Sequence, residues 1–356
     1  MSTRQEQNSG TREVADVHRF DDQRLEEYMR SHVESFQGPL TVSQFKGGQS
    51  NPTYLLESPS GKYVLRRKPP GKLLRSAHAV DREFRVISAL YAADFPVPRP
   101  FVLCTDEEVV GTMFFIMEFV EGRILWDLDL PQSSKEERRA LYDAMNQTIA
   151  DLHNFDVAGV GLGDFGKPGN YFERQISRWS KQYAASETAK IETMDHLIDW
   201  LPANIPGDDG AAVVHGDFRL DNMIIHPTEP RVIAVLDWEL STIGHPLGDF
   251  TYHLMAWQMP NLGIGSSGLV GKDLTGLGIP SEDEYVATYC ERTGRDGGIP
   301  DREFYAAYNF FRLAAILQGI AGRVRDGTAA SAHADRAVRA VEPLATIGWQ
   351  YAQQVS

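Results

Sequence analysis

The segment HGDFRLDN at residues 215–222, with the apolar run and acidic residue that follow it, constrains this chain more than any other part. Asp217 and Asn222 lie five residues apart, and Asp237 comes just after the run Val232–Leu236. A carboxylate in such a loop can orient a substrate hydroxyl and accept its proton, while an amide oxygen and a second carboxylate can hold Mg²⁺ against nucleotide phosphates. The pattern therefore predicts a phosphoryl-transfer loop, with Asp217 as catalytic residue and Asn222 and Asp237 as metal ligands.

The HxD…N…D pattern resembles the catalytic loop and metal-binding aspartate of the protein-kinase-like fold. The fuller spelling HGDxxxxN…LDWE is similar to that of the aminoglycoside phosphotransferase and choline kinase family. This resemblance implies an α+β, bilobal fold, with a small β-rich N-lobe that contains one helix and a larger, mainly helical C-lobe. It also implies ATP or GTP and Mg²⁺ as cofactors and a small molecule with a hydroxyl group as substrate. His215 and Asp249 would support the loop, although Asp249 could instead be a helix N-cap.

Residues around the loop narrow the resemblance. Trp238 and Glu239 stand where protein kinases have the phenylalanine and glycine of DFG, which favours the small-molecule branch. The segments YVLRRKPPGKLL, AVDREFRV and VIAVLDWELSTIGHPLGDF resemble the kinase-like domain of family 10 and 11 acyl-CoA dehydrogenases and its free-standing bacterial relatives. Those relatives imply a hydroxyacyl or CoA-linked substrate, by analogy alone.

The order of short apolar runs predicts where the lobes begin and end. We expect an N-terminal extension at 1–38, partly disordered and frayed to about residue 20, then an N-lobe at 39–120, a hinge at 121–123 and a helical C-lobe at 124–356. The N-lobe should contain five strands with one helix between the third and fourth. These elements are a helix at 76–92 and strands Val42–Phe45, Tyr54–Glu57, Tyr63–Arg66, Val109–Gly111 and Phe114–Val120.

Helical patterns dominate the rest of the chain. A short helix at Asp22–His32 precedes the N-lobe, and Ser133 and Ser281 begin segments with capping-box spacing in the C-lobe. Two further helices are predicted at 304–324 and 331–354. The Gly- and Ser-rich segment 263–278 is expected to be a mobile loop near the site.

The N-lobe supplies the predicted nucleotide-binding residues. The turn between its first two strands carries Gly47, Gly48, Gln49, Ser50 and Asn51, whose backbone amides and polar side chains could meet phosphate oxygens. Such a turn is also typical of an ordinary hairpin. The resemblance implies that Met117, Glu118 and Val120 contact the adenine, whereas periodicity alone makes them core strand residues.

Arg66 and Glu83 are predicted to pair. By resemblance, Arg66 stands in place of the phosphate-contacting lysine, and arginine binds phosphate well. Glu83 lies three residues after Val80 and four before Ile87, so its carboxylate falls on the apolar face of its helix. A carboxylate there is unfavourable unless it meets a cation, although Glu83 could also reach solvent at the edge of the face. The alternative interpretation, an exposed residue at the strand end, suits Arg67 and Lys68 better than Arg66.

Composition excludes several classes of function. Thirty-five Lys and Arg residues against 49 Asp and Glu give a net charge of −14, which argues against binding to nucleic acid or an anionic membrane. Cys104 and Cys290 lack the spacing of a metal site or a disulfide framework, so we expect a reducing, cytoplasmic compartment. No apolar run approaches the length of a membrane span.

Alternative functions stay open. The chain could be an aminoglycoside or amino-alcohol kinase, a nucleotide-binding pseudokinase or a protein kinase. The intact set of Asp217, Asn222 and Asp237 weighs against a pseudokinase, and the missing DFG and APE motifs weigh against a protein kinase. The segment 343–356 has no charged side chain, which disfavours a polycationic antibiotic as substrate. The sequence does not set the oligomeric state.

Overall fold

Two compact units make up the chain. A computed structural model describes residues 10–46, 51–70, 79–167, 169–207, 210–262, 268–325 and 334–355. The first unit comprises the chain up to Trp126 together with Leu220–Ser241, and the second comprises Asp127–Arg219 and the chain from Thr242 onward. The predicted lobe bounds, which assign 124–356 to one C-lobe, stay a prediction.

In the described part of the first unit, six antiparallel strands form a sheet. From one edge to the other, they are Thr11–Arg12, Thr41–Phe45, Thr53–Ser58, Gly61–Arg67, Phe114–Glu118 and Pro100–Cys104. Leu65 pairs with Tyr54 on one side and with Ile116 on the other, so the three side chains point to one face. Leu25 and Met29 of the helix Asp22–His32 pack on that face and complete an apolar core.

The opposite face of the sheet carries Arg66. Side chains alternate along a strand, so Arg66 shares this face with Val64 and lies opposite Phe115 of the neighbouring strand. Phe115 packs against Phe84 of the helix Val80–Ala92, with ring centroids 5.9 Å apart. The unit also contains a second, two-stranded sheet formed by Met223–Ile225 and Val232–Val235.

One predicted strand of the N-lobe is wrong, and one observed strand is missing from the prediction. The expected strand at 109–111 is wrong, because Glu107–Val110 is a short helix whose N-cap, Asp106, accepts a hydrogen bond from the Glu108 amide. The strand that follows the helix Val80–Ala92 is instead Pro100–Cys104, which pairs with Phe114–Glu118 through a register irregularity near Pro100. As an edge strand it tolerates a proline, whose missing N–H makes such a strand hard to recognise from sequence.

Residues 10–20 are more ordered than the sequence predicts. Residues 10–20 were predicted to be frayed, yet Thr11–Arg12 forms the edge strand and His18 accepts a hydrogen bond from Arg67. Arg67 is not exposed at its strand end but buried, and it also donates to Val110 and Tyr54. Arg67 lies two residues after Leu65 on the same strand, so both side chains point to one face of the sheet. The N-terminal segment covers that face.

The described part of the second unit is mainly helical. Its helices are Lys135–His153, Tyr171–Ser186, Glu192–Ala203, Pro246–Gln258, Leu274–Leu277, Glu282–Arg292, Arg302–Arg325 and Ala334–Ala352. A short antiparallel pair, Ala212–Val214 with Thr242–Gly244, leads into the segment that begins at His215.

The two helix starts predicted from capping-box spacing are confirmed. Ser134 caps the first long helix by accepting from the Glu137 amide, and Ser281 and Glu284 form a reciprocal capping box. The predicted mobile loop is only partly described, because 263–267 lie outside the described residues. From residue 268 onward the segment is anchored, since Lys272 contacts Asp129 at 2.5 Å.

Across the described ranges, no helix combines the length and apolar character needed to cross a bilayer.

Candidate active site

Arg66 is the centre of a buried charge cluster in the first unit. Its Nε donates to Glu83 Oε2 at 2.9 Å, and its Nη2 lies 2.5 Å from Asp237 Oδ1 and 3.6 Å from Glu239 Oε2. Arg66 and Glu83 are both buried. The predicted pairing of these two residues is therefore confirmed, and the same guanidinium also holds the predicted metal ligand Asp237.

Three carboxylates share this one guanidinium, so the cluster carries a surplus of negative charge. Burial raises the pKa of Glu83, Arg66 opposes the rise, and Asp237 and Glu239 add to it, which brings the pKa to about 7. For Arg66, burial lowers the pKa but the three carboxylates outweigh it and hold the pKa above its usual value. In the contacts that the described residues show, three carboxylates therefore meet one guanidinium.

A divalent cation fits this surplus. Asp237 has the left-handed conformation (φ 65°) just after the strand Val232–Val235, and about a third of its side chain is exposed. The Asn222 carbonyl accepts from the Leu236 amide at 2.8 Å, so Asn222 lies across the strand pair from the residue before Asp237. Among the described residues, no group of three or more His, Cys, Asp or Glu encloses a metal by itself. Mg²⁺ commonly binds to one or two carboxylates and completes its shell with waters and phosphates, and Asn222 and Asp237 could hold it in that way.

The remaining predicted phosphate-loop residues are mostly outside the described residues. Four of them lie between the described ranges 10–46 and 51–70: Gly47, Gly48, Gln49 and Ser50. Asn51 is described and buried, and its Nδ2 donates to Glu239 Oε2 at 3.3 Å. Asn51, just before the strand Thr53–Ser58, thus contacts a carboxylate of the Arg66 cluster.

The predicted adenine-contacting segment has mixed exposure. Met117 is buried, whereas Glu118 is exposed and Val120 is half-buried. The Glu118 amide donates to the Arg99 carbonyl at 2.8 Å, so this amide is already engaged within the protein. The predicted hinge continues into Arg123, whose backbone pairs with Ile225 of the strand after Asn222.

The segment His215–Asp217 is fixed from behind by Asp249 in the second unit. Asp249 is buried in the first turn of the helix Pro246–Gln258, and its carboxylate accepts from the His215 amide at 2.7 Å and the Gly216 amide at 2.8 Å. Gly216 has a φ of 84°, a conformation that favours glycine. The helix N-cap is His245, so the bracing interpretation of Asp249 is confirmed over the capping one.

Further buried polar contacts complete this brace. His215 Nδ1 accepts from the Asp217 amide at 3.1 Å, so His215 supports the turn as predicted. Burial would raise the pKa of Asp249, but contacts with His153 and the amide of His215 hold it below its usual value. Asp249 is therefore an ionised acceptor for the loop.

The carboxylate of Asp217 has two neighbours that the sequence did not predict. Tyr252 donates its hydroxyl to Asp217 Oδ1 at 2.8 Å, and Arg219 Nε lies 3.1 Å from the same oxygen. Burial and the charge of Asp217 raise the pKa of Tyr252, which keeps the phenol protonated as a donor. The sequence does contain a feature that could have identified Tyr252. It lies three residues after Asp249 on one helix, and residues three apart share a helix face.

Arg312 reaches the same loop from the long helix Arg302–Arg325. It is buried, its Nη2 donates to the Gly216 carbonyl, and its guanidinium lies 4.8 Å from the centre of the Tyr252 ring. Arg219 and Arg312 therefore bring two positive charges to the surroundings of Asp217.

Comparison with known proteins decides the family. A model of the phosphotransferase enzyme family matches residues 41–308, which include Arg66, the loop at 215–222 and Asp237. The chain belongs to the phosphotransferase enzyme family.

Relatives of this phosphotransferase family member include parts of longer proteins. Acyl-CoA dehydrogenase family member 11 of Rattus norvegicus is 43% identical over 350 residues, which cover 97% of the chain and 45% of the relative. Acyl-CoA dehydrogenase family member 10 of Mus musculus is 44% identical over 329 residues, or 92% of the chain and 31% of the relative. The chain thus spans less than half the length of either relative.

Solved structures show the fold of the phosphotransferase. A candidate aminoglycoside phosphotransferase from Ralstonia eutropha JMP134 is 54% identical, with a TM-score of 0.85 over 94% of this chain and 99% of its own. An aminoglycoside phosphotransferase in ternary complex with AMP-PNP and hygromycin B is 16% identical, with a TM-score of 0.59 over 92% and 98% of the two chains. The predicted α+β, protein-kinase-like fold is confirmed.

Proposed function

We propose that this chain is a kinase that transfers a phosphoryl group from Mg²⁺-bound ATP to the hydroxyl of a small, CoA-linked hydroxyacyl compound. The contact of Arg66 with both Glu83 and Asp237 carries the nucleotide part of the proposal. Kinases of this fold need a cation that is paired with a helix carboxylate and a metal-binding aspartate beside it. Arg66 would bind nucleotide phosphates in place of the usual lysine, and GTP is the alternative donor.

Asp217 is the proposed catalytic residue. Its carboxylate would orient the acceptor hydroxyl and accept its proton as the oxygen attacks the phosphorus. Tyr252 and Arg219, on one carboxylate oxygen, are the proposed positioning residues, since each restricts rotation of the carboxylate. Mg²⁺, held by Asn222 and Asp237, would neutralise charge on the transferred group.

The surroundings of Asp217 favour a neutral or anionic acceptor. Arg219 contacts Asp217 directly, and Arg312 bonds to the carbonyl of the preceding residue. A polycationic antibiotic would be repelled by these charges, whereas an acyl thioester or phosphate would be attracted. The relatives named as acyl-CoA dehydrogenases point to CoA-linked acceptors, although aminoglycoside phosphotransferases share the fold.

An acceptor screen tests the proposal. The purified chain would be given Mg²⁺ and ATP or GTP with hydroxyacyl-CoA compounds of several lengths, aminoglycosides, amino alcohols and sugars, and nucleoside diphosphate release would be measured. Asp217→Asn serves as the control that should be inactive with every acceptor. Turnover of hydroxyacyl-CoA supports the proposal, whereas efficient turnover of kanamycin-type compounds alone refutes the acceptor assignment. Nucleotide binding with no turnover of any acceptor would favour the pseudokinase alternative.

A further inference from the structure

A cationic groove runs along the exposed side of the helix Tyr171–Ser186 in the second unit. It has a volume of about 490 Å³ and is lined by Asn170, Glu173, Arg174, Ser177, Arg178 and Lys181. The three cations are four and three residues apart, so they form one row on the helix surface. The apolar side of the same helix, which includes Trp179 and Tyr183, is buried.

These cations lack acidic partners within the described residues, although Glu173 lines the same groove. Two cations elsewhere in the second unit contrast with them, because Arg302 lies 2.9 Å from Asp283 and Arg292 lies 2.8 Å from Asp143. In a chain of net charge −14, a row of three cations beside the single acidic residue Glu173 is a local positive field that attracts anions.

One of the cations is held in place by neutral groups. Both terminal nitrogens of Arg174 donate to backbone carbonyls, Nη1 to Gly169 and Nη2 to Lys167, the latter at 2.5 Å. Carbonyl partners fix the guanidinium without cancelling its charge. The groove therefore has a positioned cation at one end and two exposed ones, Arg178 and Lys181, that can reach a ligand.

Trp179 connects the groove to the catalytic loop. The Arg178 guanidinium lies 5.1 Å from the centre of its indole ring, and the Arg312 guanidinium lies 5.7 Å from the same ring. Arg312 in turn donates to Gly216, next to Asp217. A continuous set of packed side chains thus leads from the groove to the proposed catalytic residue within one unit.

We infer that this groove binds phosphate groups of the acceptor, remote from the hydroxyl that is phosphorylated. The inference rests on the proposed function and adds to it a binding site for the phosphates that the acceptor already carries, as a CoA thioester does. Guanidinium groups bind phosphate through paired hydrogen bonds and lysine binds it as a point charge, so Arg178 and Lys181 suit such a ligand.

Calorimetry with unacylated coenzyme A tests the groove without any turnover. Arg178→Ala/Lys181→Ala should raise the Kd for coenzyme A at least about tenfold, the scale of one charge-assisted hydrogen bond. The matched control Lys190→Ala/Arg302→Ala removes one Lys and one Arg from the same unit outside the groove and should leave the Kd unchanged. Thermal unfolding of both variants checks that they fold. Equal Kd values for the two variants, or no binding to the wild type, would overturn the inference.

Ligands with fewer phosphates identify the group that the groove recognises. The wild type should bind coenzyme A more tightly than dephospho-coenzyme A, and dephospho-coenzyme A more tightly than pantetheine, whereas the groove variant should lose this order. Phosphatidylserine vesicles form a separate arm, because headgroup phosphates have the same chemistry. If vesicles bind to the wild type but not to the groove variant, and coenzyme A does not distinguish the two, the groove is a lipid-binding surface and the inference fails.

The test separates the groove from the proposed function. Normal phosphorylation of hydroxyacyl-CoA by the groove variant, with an unchanged KM, would reject the groove and keep the kinase. Groove-dependent binding of coenzyme A without phosphorylation of any acceptor would support the groove and reject the kinase.

Discussion

Replacing Arg66 by methionine should destabilise the first unit far more than replacing Glu83 by glutamine. Arg66 is the cation that three carboxylates share, at 2.9 Å from Glu83, 2.5 Å from Asp237 and 3.6 Å from Glu239. Methionine keeps a long side chain but leaves these carboxylates without that cation. Removal of one partner from a buried ion pair lowers the free energy of unfolding by about 3–5 kcal/mol.

Glu83→Gln removes part of the surplus charge and keeps the cation. The pKa of Glu83 is about 7 against the usual 4.5. At about 1.4 kcal/mol per pH unit, this difference disfavours the ionised form by about 3 kcal/mol. That pKa already includes the contact with Arg66, and glutamine can keep a neutral hydrogen bond to Arg66. Glu83→Gln should therefore leave the free energy of unfolding at pH 7 unchanged or raise it by up to about 3 kcal/mol.

The same residue predicts a pH dependence of stability. Because the folded pKa of Glu83 lies above the unfolded one, the folded protein binds more protons between pH 4.5 and about 7. The contribution of Glu83 to the free energy of unfolding is therefore fully present below pH 4.5 and is lost as pH rises through about 7. Glu83→Gln should remove this component, leaving a shallower decline than in the wild type.

Urea unfolding at pH 7 measures these effects in the wild type, Arg66→Met, Glu83→Gln and the double variant. The double variant should be more stable than Arg66→Met alone, because one surplus carboxylate is gone, so the two changes are not additive. Equal destabilisation by the two single changes, or strict additivity in the double variant, would refute the shared-cation account.

Four further substitutions test three parts of the site. Asp217→Asn should retain nucleotide affinity in calorimetry but lose phosphoryl transfer by several orders of magnitude, and near-normal turnover would remove Asp217 from its role. Asp237→Ala should abolish Mg²⁺-dependent nucleotide affinity while Glu239→Gln acts more mildly; unchanged Mg²⁺–ATP binding in Asp237→Ala would contradict the metal assignment. Tyr252→Phe should lower kcat about tenfold, the scale of one hydrogen bond to a charged group, and leave the KM for ATP unchanged. An altered KM for ATP with normal kcat would exclude positioning of Asp217 by Tyr252.

The sequence predicted those parts of the site in which short-range periodicity determines direction. Glu83 falls on the apolar face of its helix and needs a cation, and this argument found its partner Arg66 correctly. The spacing of Asp217, Asn222 and Asp237 likewise depends on local strand and loop order. The role of Asp249 came from resemblance, and its two amide contacts confirm the bracing.

Contacts that the sequence did not predict depend on packing between segments that are far apart along the chain. Arg67 differs from Arg66 only in strand parity, but its burial depends on the N-terminal segment that covers its face. Tyr252 and Arg312 meet Asp217 and Gly216 from two helices that are far apart in sequence. The strand Pro100–Cys104 has an irregular register that no alternating pattern reveals.

Product analysis shows whether the hydroxyl of the acyl group accepts the phosphoryl group. The chain would be incubated with Mg²⁺ and ATP and either a hydroxyacyl-CoA or the matched acyl-CoA without the hydroxyl, and the products would be followed by phosphorus NMR. We expect one new phosphate ester on the acyl hydroxyl for each ADP released, and none with the matched acyl-CoA or with Asp217→Asn. Equal ADP release from both acyl-CoA compounds, or a phosphate ester that forms without Asp217, would contradict the proposed function.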